Sequence, residues 1–158
     1  GRLQPVPARA DFRVLVDYAH TDDALANVLS ALRPLVGGRL ILVFGCGGDR
    51  DRSKRPRMAG VAQRWADAII LTSDNPRTEE PMAIINEVLS GFSPAGRQKV
   101  QVEQDRRAGI AAALALARAG DLVLIAGKGH ENYQVLGSRR VHFDDVETAG
   151  ELLRQRGW

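Results

Sequence analysis

Residues Leu40–Arg55 read LILVFGCGGDRDRSKR, and the order of apolar, glycine-rich and charged residues in this segment predicts the fold class. Five consecutive apolar residues, Leu40–Phe44, are typical of a strand that is buried on both faces of a parallel sheet. The glycines and charged residues that follow predict a loop, and Pro56 then stands near the start of a predicted helix. A strand, a polar loop and a helix in this order form the repeating unit of α/β proteins.

The same alternation continues along the rest of the chain. Further strands are predicted at Phe12–Val16, Ala68–Thr72, Lys99–Val102 and Leu122–Ala126. Helices are predicted at Asp22–Pro34, Pro56–Trp65, Pro81–Leu89, Arg106–Ala119 and Val146–Arg156, and a hairpin at Gln134–Phe143 that turns at Gly137-Ser138. We therefore predict one Rossmann-like α/β domain over residues 1–158. Its sheet should be open and mostly parallel, with about six strands and helices on both faces.

Composition excludes several classes of protein. The 158 residues suit one compact domain, and the single cysteine allows no internal disulfide. No apolar run approaches the ~20 residues that span a bilayer, so we expect a cytoplasmic protein without membrane association. The net charge is only +3, and the densest basic stretch, Arg50–Arg57, is interrupted by Asp51 and contains no aromatic residue. We therefore expect no nucleic-acid partner.

Polar or glycine-rich segments follow four of the predicted strands. Because ligands of parallel α/β sheets bind beyond the carboxyl ends of the strands, these segments should meet at one edge of the sheet. The segments are DYAHTDD (Asp17–Asp23), GCGGDRDRSKR (Gly45–Arg55), SDNPRTEEP (Ser73–Pro81) and GKGHEN (Gly127–Asn132).

The side chains of these segments suit a small zwitterion with more than one carboxylate. Arg50 and Arg77 can each grip a carboxylate through a planar fork of N–H donors. Asn75 can donate or accept, Glu131 can hold an ammonium group, and Gly127 allows a ligand to approach the backbone closely.

Each of these residues also has a purely structural interpretation. Arg50 is compatible with a surface ion pair to a neighbouring aspartate, and Arg77 with a cap on the helix near Pro81. Asp74–Pro76 is also a turn signal, and Glu131 and Lys128 are compatible with solvated positions. His20 and His130 are compatible with structural hydrogen bonding, and Cys46 with a small buried residue.

Two nucleotide-binding motifs are incomplete in this chain. GCGGDR follows a strand but lacks the GxGxxG spacing of a dinucleotide site, and GKGHE lacks the GxxxxGK[ST] pattern of a P-loop. A stand-alone nucleotide-binding module, such as a small oxidoreductase, therefore stays a weaker alternative.

The four segments together resemble the third, C-terminal domain of the Mur ligase family. DNPR (Asp74–Arg77) followed by TEEP is similar to the motif with which the branch adding meso-diaminopimelate recognises that amino acid, whereas lysine-adding relatives differ at Arg77. FGCGGDRD, AGKGHENYQ and VDYAHTDDAL resemble other blocks of the same domain. The chain departs from the family at Asp22, where a proline is usual.

The resemblance implies part of an ATP-dependent ligase of peptidoglycan synthesis, which joins meso-diaminopimelate to UDP-N-acetylmuramoyl-L-alanyl-D-glutamate. It implies that the central ATP-binding domain, with its P-loop and Mg²⁺, and the N-terminal UDP-binding domain are absent from this chain. A lysine-adding ligase domain is the alternative within the family.

Site residues follow from the resemblance motif by motif. It assigns Arg50, Asn75, Arg77, Gly127 and Glu131 to meso-diaminopimelate, with Asp74 and Pro76 shaping their loop. It places Asp17, Tyr18 and His20 toward the nucleotide across a domain cleft. It assigns no catalytic residue and no metal ligand to this chain.

Overall fold

The computed structural model describes residues 2–158. Six strands form one sheet in the order β1-β2-β6-β3-β4-β5, and two more form a separate hairpin. The strands are β1 (Gln4–Pro5), β2 (Arg13–Asp17), β3 (Leu40–Phe44), β4 (Ala68–Leu71), β5 (Val100–Val102), β6 (Leu122–Ala126), β7 (Tyr133–Leu136) and β8 (Arg139–His142). The helices are α1 (Asp22–Leu32), α2 (Lys54–Trp65), α3 (Pro81–Leu89), α4 (Pro94–Arg97), α5 (Arg106–Leu116) and α6 (Asp145–Gln155), and a 3-10 turn spans Arg33–Leu35.

The sheet is parallel except at one edge, where β1 pairs antiparallel to β2. Strand β6 lies between β2 and β3, and every residue of β3 and β6 is buried. The predicted sheet is therefore confirmed. Its sixth strand is β1, which was not predicted because it has two exposed residues, one of them a proline, and no apolar pattern.

Helices cover both faces of the sheet, as predicted. One core packs α1, α2 and α3 against one face, through residues such as Leu29, Met58 and Ile85. The other packs α5 and α6 against the opposite face, through residues such as Ile110 and Leu153. The polar loops that follow β2, β3, β4 and β6 lie at the carboxyl edge of these parallel strands.

A buried ion pair connects the helices of the second face to the strand ends. Arg106, the first residue of α5, donates to both carboxylate oxygens of Asp145, the first residue of α6, at 2.8 and 2.7 Å. The same guanidinium donates to the backbone carbonyls of Ser73 and Ala126, which follow β4 and end β6. Both side chains of the pair are fully buried, so every one of these bonds lies in a medium where losing a partner is costly.

Two carboxylates hold the β3–α2 loop (residues 45–53) against the β4–α3 loop (residues 72–80). Asp49 accepts from the backbone N–H and the hydroxyl of Thr78, while Glu79 accepts from the backbone N–H of Asp49. Glu79 also accepts two bonds from the buried Arg55 guanidinium. The hydrogen bonds from Arg55, and then the one from Asp49, lower the pKa of Glu79 to about 2.

Replacing Arg106 by methionine should destabilise the domain by ~3–5 kcal/mol, because the Asp145 carboxylate is then left buried and unpaired. Urea denaturation of the chain measures the loss. Arg107→Met is the matched control, since Arg107 pairs with Glu151 at the surface, where ion pairs contribute ~0–1 kcal/mol. Equal losses of stability in the two variants would contradict the conclusion that the buried ion pair of Arg106 stabilises the domain more than a surface ion pair does.

Replacing Glu79 by glutamine should remove a contribution to stability that depends on pH. The pKa of Glu79 is lowered from 4.5 to about 2 on folding, so this contribution is complete above pH 4.5 and disappears as pH falls toward 2. The stability gap between the two proteins, measured by denaturation at each pH, should close over that window. Glu80→Gln, at the exposed neighbouring position, should show no such closing gap.

Candidate functional site

The four polar loops meet at the carboxyl edge of the sheet and line an open cavity of about 510 Å³. This volume is in the range that small ligands occupy. The lining residues are Tyr18, His20 and Thr21 after β2, Gly47, Arg50, Asp51 and Lys54 after β3, Asp74, Asn75 and Arg77 after β4, and Gly127, Glu131 and Tyr133 after β6.

The cavity presents charges of both signs. Its cationic side chains are Arg50, Lys54 and Arg77, and its acidic side chains are Asp51, Asp74 and Glu131. Such a lining matches a ligand that itself carries both signs, because each ligand charge can meet an opposite one. A purely anionic or purely cationic ligand would leave part of the lining uncompensated.

Arg77 reaches across from the β4–α3 loop to the β3–α2 loop. Its Nη1 donates to the carbonyl oxygen of Gly48 at 2.9 Å, and no side chain caps helix α3 through a hydrogen bond. The interpretation of Arg77 as a cap on that helix is therefore wrong. The Gly48 position admits no side chain, because a Cβ there would lie 1.8 Å from the carbonyl oxygen of Pro76. This close backbone approach brings Arg50 and Arg77 to the same cavity.

The backbone of Arg77 has a φ of 53°, which is unfavourable for a residue other than glycine. The hairpin β7–β8 holds it in place: the Arg77 N–H donates to the Val135 carbonyl, and the Gly137 N–H donates to the Arg77 carbonyl. The predicted hairpin is thus confirmed, and it clamps the DNPR loop. Gln134 adds a side-chain bond to the Asp74 carbonyl at 2.7 Å.

Glu131 and Gly127 lie on the β6–β7 loop (residues 127–132), opposite the DNPR loop. Gly127 has a φ of 120°, and a Cβ there would lie 3.0 Å from a carboxylate oxygen of Asp74. The Nζ of Lys128 lies 3.4 Å from an oxygen of Glu131. The interpretation of Lys128 as a solvated residue is wrong, because its side chain has no exposed area.

The three residues assigned to the nucleotide separate into two groups. Tyr18 and His20 are both in the cavity wall, with ring centroids 4.5 Å apart, and both also line a neighbouring cavity of about 450 Å³. Asp17 lines only the neighbouring cavity, and its two carboxylate oxygens accept from the backbone N–H groups of Leu3 and Ala19. The Asp17 carboxylate therefore has a structural use.

Pro76 is buried and does not line the main cavity, but it lines a separate cavity together with Arg77. The sequence assigned no ligand-binding role to five wall residues: Thr21, Gly47, Asp51, Lys54 and Tyr133. Among these five residues, Lys54 joins two of the loops, because its ammonium donates to the His20 carbonyl at 2.7 Å. The charge of Lys54 and its place just after the glycines were the available signal.

Residues 2–158 offer neither a reactive thiol nor a cluster of metal ligands. Burial raises the pKa of the Cys46 thiol to about 12, so it stays protonated and unreactive near neutral pH. In that range, no group of three or more histidine, cysteine or acidic side chains is placed to hold a metal ion. The described helices are all too short or too polar to cross a bilayer.

The family model of the Mur ligase glutamate ligase domain matches residues 1–129. Curated relatives include the UDP-N-acetylmuramoyl-L-alanyl-D-glutamate–2,6-diaminopimelate ligase of Parasynechococcus marenigrum (strain WH8102), which is 62% identical over 90% of this chain. The ligase of the same name from Thermosynechococcus vestitus is 53% identical over 99% of the chain. The chain covers 28% and 31% of these two relatives, so it spans roughly a third of their length.

Solved structures with a similar fold include a ligase of the same name as these relatives. A structure of a UDP-N-acetylmuramoyl-L-alanyl-D-glutamate–2,6-diaminopimelate ligase superposes with a TM-score of 0.94 at 45% identity, over 100% of this chain and 32% of that one. The folylpolyglutamate synthase of Thermotoga maritima, at 18% identity and a TM-score of 0.58 over 80% of this chain and 27% of its own, shares the fold alone. The chain therefore belongs to the Mur ligase family, in which residues 1–129 correspond to the glutamate ligase domain.

Proposed function

We propose that this chain is the C-terminal domain of an ATP-dependent ligase of peptidoglycan synthesis, and that it binds and orients meso-diaminopimelate. The complete enzyme would join this amino acid to UDP-N-acetylmuramoyl-L-alanyl-D-glutamate in the cytoplasm. The names and high identity of the relatives support this proposal. The observation that carries it is the cavity that combines Arg50, Arg77 and Glu131 on three different loops.

The chemistry of the ligand explains this combination. Meso-diaminopimelate carries two carboxylates and two amines, so it needs cationic forks and an acidic group in one small space. Arg50 and Arg77 offer the forks, and Glu131 with Asp74 offers partners for an ammonium group. A lysine ligand has only one carboxylate and would leave one of the two arginines without a carboxylate to bind.

The chain's contribution to catalysis would be positional. By fixing the carboxylates and one amine, the cavity would direct the other amine toward the activated glutamyl carboxyl and lower the entropic part of the barrier. Tyr18 and His20, at the rim shared with the neighbouring cavity, are proposed to face the nucleotide. We propose no contact from the Asp17 carboxylate, because two backbone N–H groups already bind it.

ATP and Mg²⁺ are proposed to bind mainly outside this chain. The sequence has no GxxxxGK[ST] phosphate cradle, and residues 2–158 offer no cluster that fits a metal ion. No step of the reaction is therefore assigned to ATP or Mg²⁺ at residues of this chain.

Replacing Arg77 by lysine or alanine in the complete ligase should sharply reduce kcat/KM with meso-diaminopimelate. The planar fork is lost, and a site built on such a contact can discriminate by as much as ~10⁴-fold against an analogue that lacks the partner group. Activity with lysine, low at the outset, should change much less. Steady-state kinetics with both amino acids measures the difference.

Arg97→Lys serves as the matched control, since Arg97 is an exposed residue of α4 that binds the Val100 carbonyl away from the cavity. It should leave both activities unchanged. Equal losses with both amino acids for the Arg77 variants, or no loss with either, would contradict a recognition role for Arg77.

The chain alone should show no ATP-dependent ligation, since it lacks a phosphate cradle of its own. The measurement is phosphate release in the presence of ATP, Mg²⁺, the dipeptide precursor and meso-diaminopimelate, with the complete ligase as the positive control. Phosphate release by the chain that depends on the amino acid would overturn the proposal that the other domains supply the chemistry.

A further inference from the structure

Lys128 is a fully buried cation directly behind the cavity wall. Its ammonium has three N–H donors, and the structure provides three acceptors: Asn75 Oδ1 at 3.4 Å, Glu131 Oε1 at 3.4 Å, and the Tyr133 carbonyl oxygen at short range. With its donors used in this way and no exposed area, Lys128 is not available to a ligand. Its acceptors, however, all belong to cavity-lining residues.

The contacts of Asn75 fix which end of its amide faces the cavity. The backbone N–H of Val135 donates to Asn75 Oδ1 at 2.9 Å, and Lys128 approaches the same oxygen. Both groups are donors only, so the atom between them must be the amide oxygen. The amide nitrogen therefore points away from them, and Asn75 can offer N–H donors to a ligand carboxylate.

The contact with Glu131 has a related consequence. Lys128 engages Oε1, which restrains the carboxylate on the β6–β7 loop and leaves Oε2 as the oxygen for a ligand ammonium. The Glu131 side chain is 22% exposed, so the restraint acts on a group that would otherwise move at the cavity rim. One buried cation thus orients a donor for carboxylate and an acceptor for ammonium.

We propose that Lys128 is a positioning residue for the amino-acid substrate. It holds Asn75 with its amide nitrogen toward the cavity and holds Glu131 for the substrate ammonium. This inference rests on the proposed function of the same cavity. It adds Lys128 as a positioning residue and assigns the orientation of the Asn75 amide. It also gives a use to a buried ammonium whose three acceptors all belong to residues of the cavity wall.

The test is Lys128→Met in the complete ligase, which keeps an unbranched side chain of similar length and removes its charge. The KM for meso-diaminopimelate should rise by about 10-fold or more, as expected for losing hydrogen bonds to a charged group. The KM values for ATP and for the UDP-dipeptide should stay unchanged. An unchanged KM for meso-diaminopimelate, or an equal rise for all three substrates, would overturn the proposal.

Lys99→Met is the matched control. Lys99 is also a hydrogen-bonded lysine, and it donates to the backbone carbonyls of Gln63 and Ala66, but it is exposed and lies at the opposite end of the sheet. This variant reports the general effect of losing a bonded lysine, and its KM for meso-diaminopimelate should equal that of the unaltered ligase. A rise matching that of Lys128→Met would show that the effect is not local and would overturn the positioning role.

A second pair of variants tests the polarity of Asn75 even if Lys128→Met does not fold. If Asn75 donates to a carboxylate, Asn75→Asp should bind meso-diaminopimelate more weakly than Asn75→Ala, because two carboxylates then face each other. The proposed orientation would be overturned if Asn75→Asp bound meso-diaminopimelate as tightly as the unaltered ligase does, or more tightly than Asn75→Ala does. Absence of meso-diaminopimelate-dependent activity in the unaltered ligase would instead refute the proposed function.

Discussion

The site depends on the buried guanidinium of Arg106, because this one group fixes the ends of two strands. It binds Asp145 at the start of α6 and the carbonyls of Ser73 and Ala126, where the chain leaves β4 and β6. The DNPR and GKGHE loops begin at these carbonyls. A buried cation with acceptors on several elements is costly to disturb, so the two loops start from nearly fixed positions.

Fixed starting points are not sufficient for loops of this length, and further ties hold their middle residues. Asp49 and Glu79 join the loops after β3 and β4, and the β7–β8 hairpin clamps Arg77 in a left-handed backbone conformation. Such a conformation is unfavourable for arginine by itself, so the hairpin bonds must stabilise it. The result is a rigid arrangement in which the two arginines face one cavity.

Three buried cations lie around this cavity, and each is stabilised in the same way by nearby hydrogen-bond acceptors. Arg55, Arg106 and Lys128 are fully buried, and each lies against acceptors from the loops or strand ends that shape the site. Removing a cation from water is costly, and only well-placed acceptors compensate. Each buried cation therefore favours a single arrangement of the loops around it. That preorganisation would suit the proposed binding of one multiply charged ligand.

The sequence alone determined the alternation of strands and helices, because runs such as LILVF and LVLIA are compatible with little else than strands buried on both faces. It also indicated the four loops, since polar residues after such strands fall at one edge of the sheet. Only the folded structure shows that Lys128 is buried against Asn75 and that the Asp17 carboxylate binds the backbone N–H of Leu3, because these contacts join segments that are separate in the sequence. Strand β1 was likewise not predicted, because its two exposed residues have no apolar pattern and form a strand by pairing with β2.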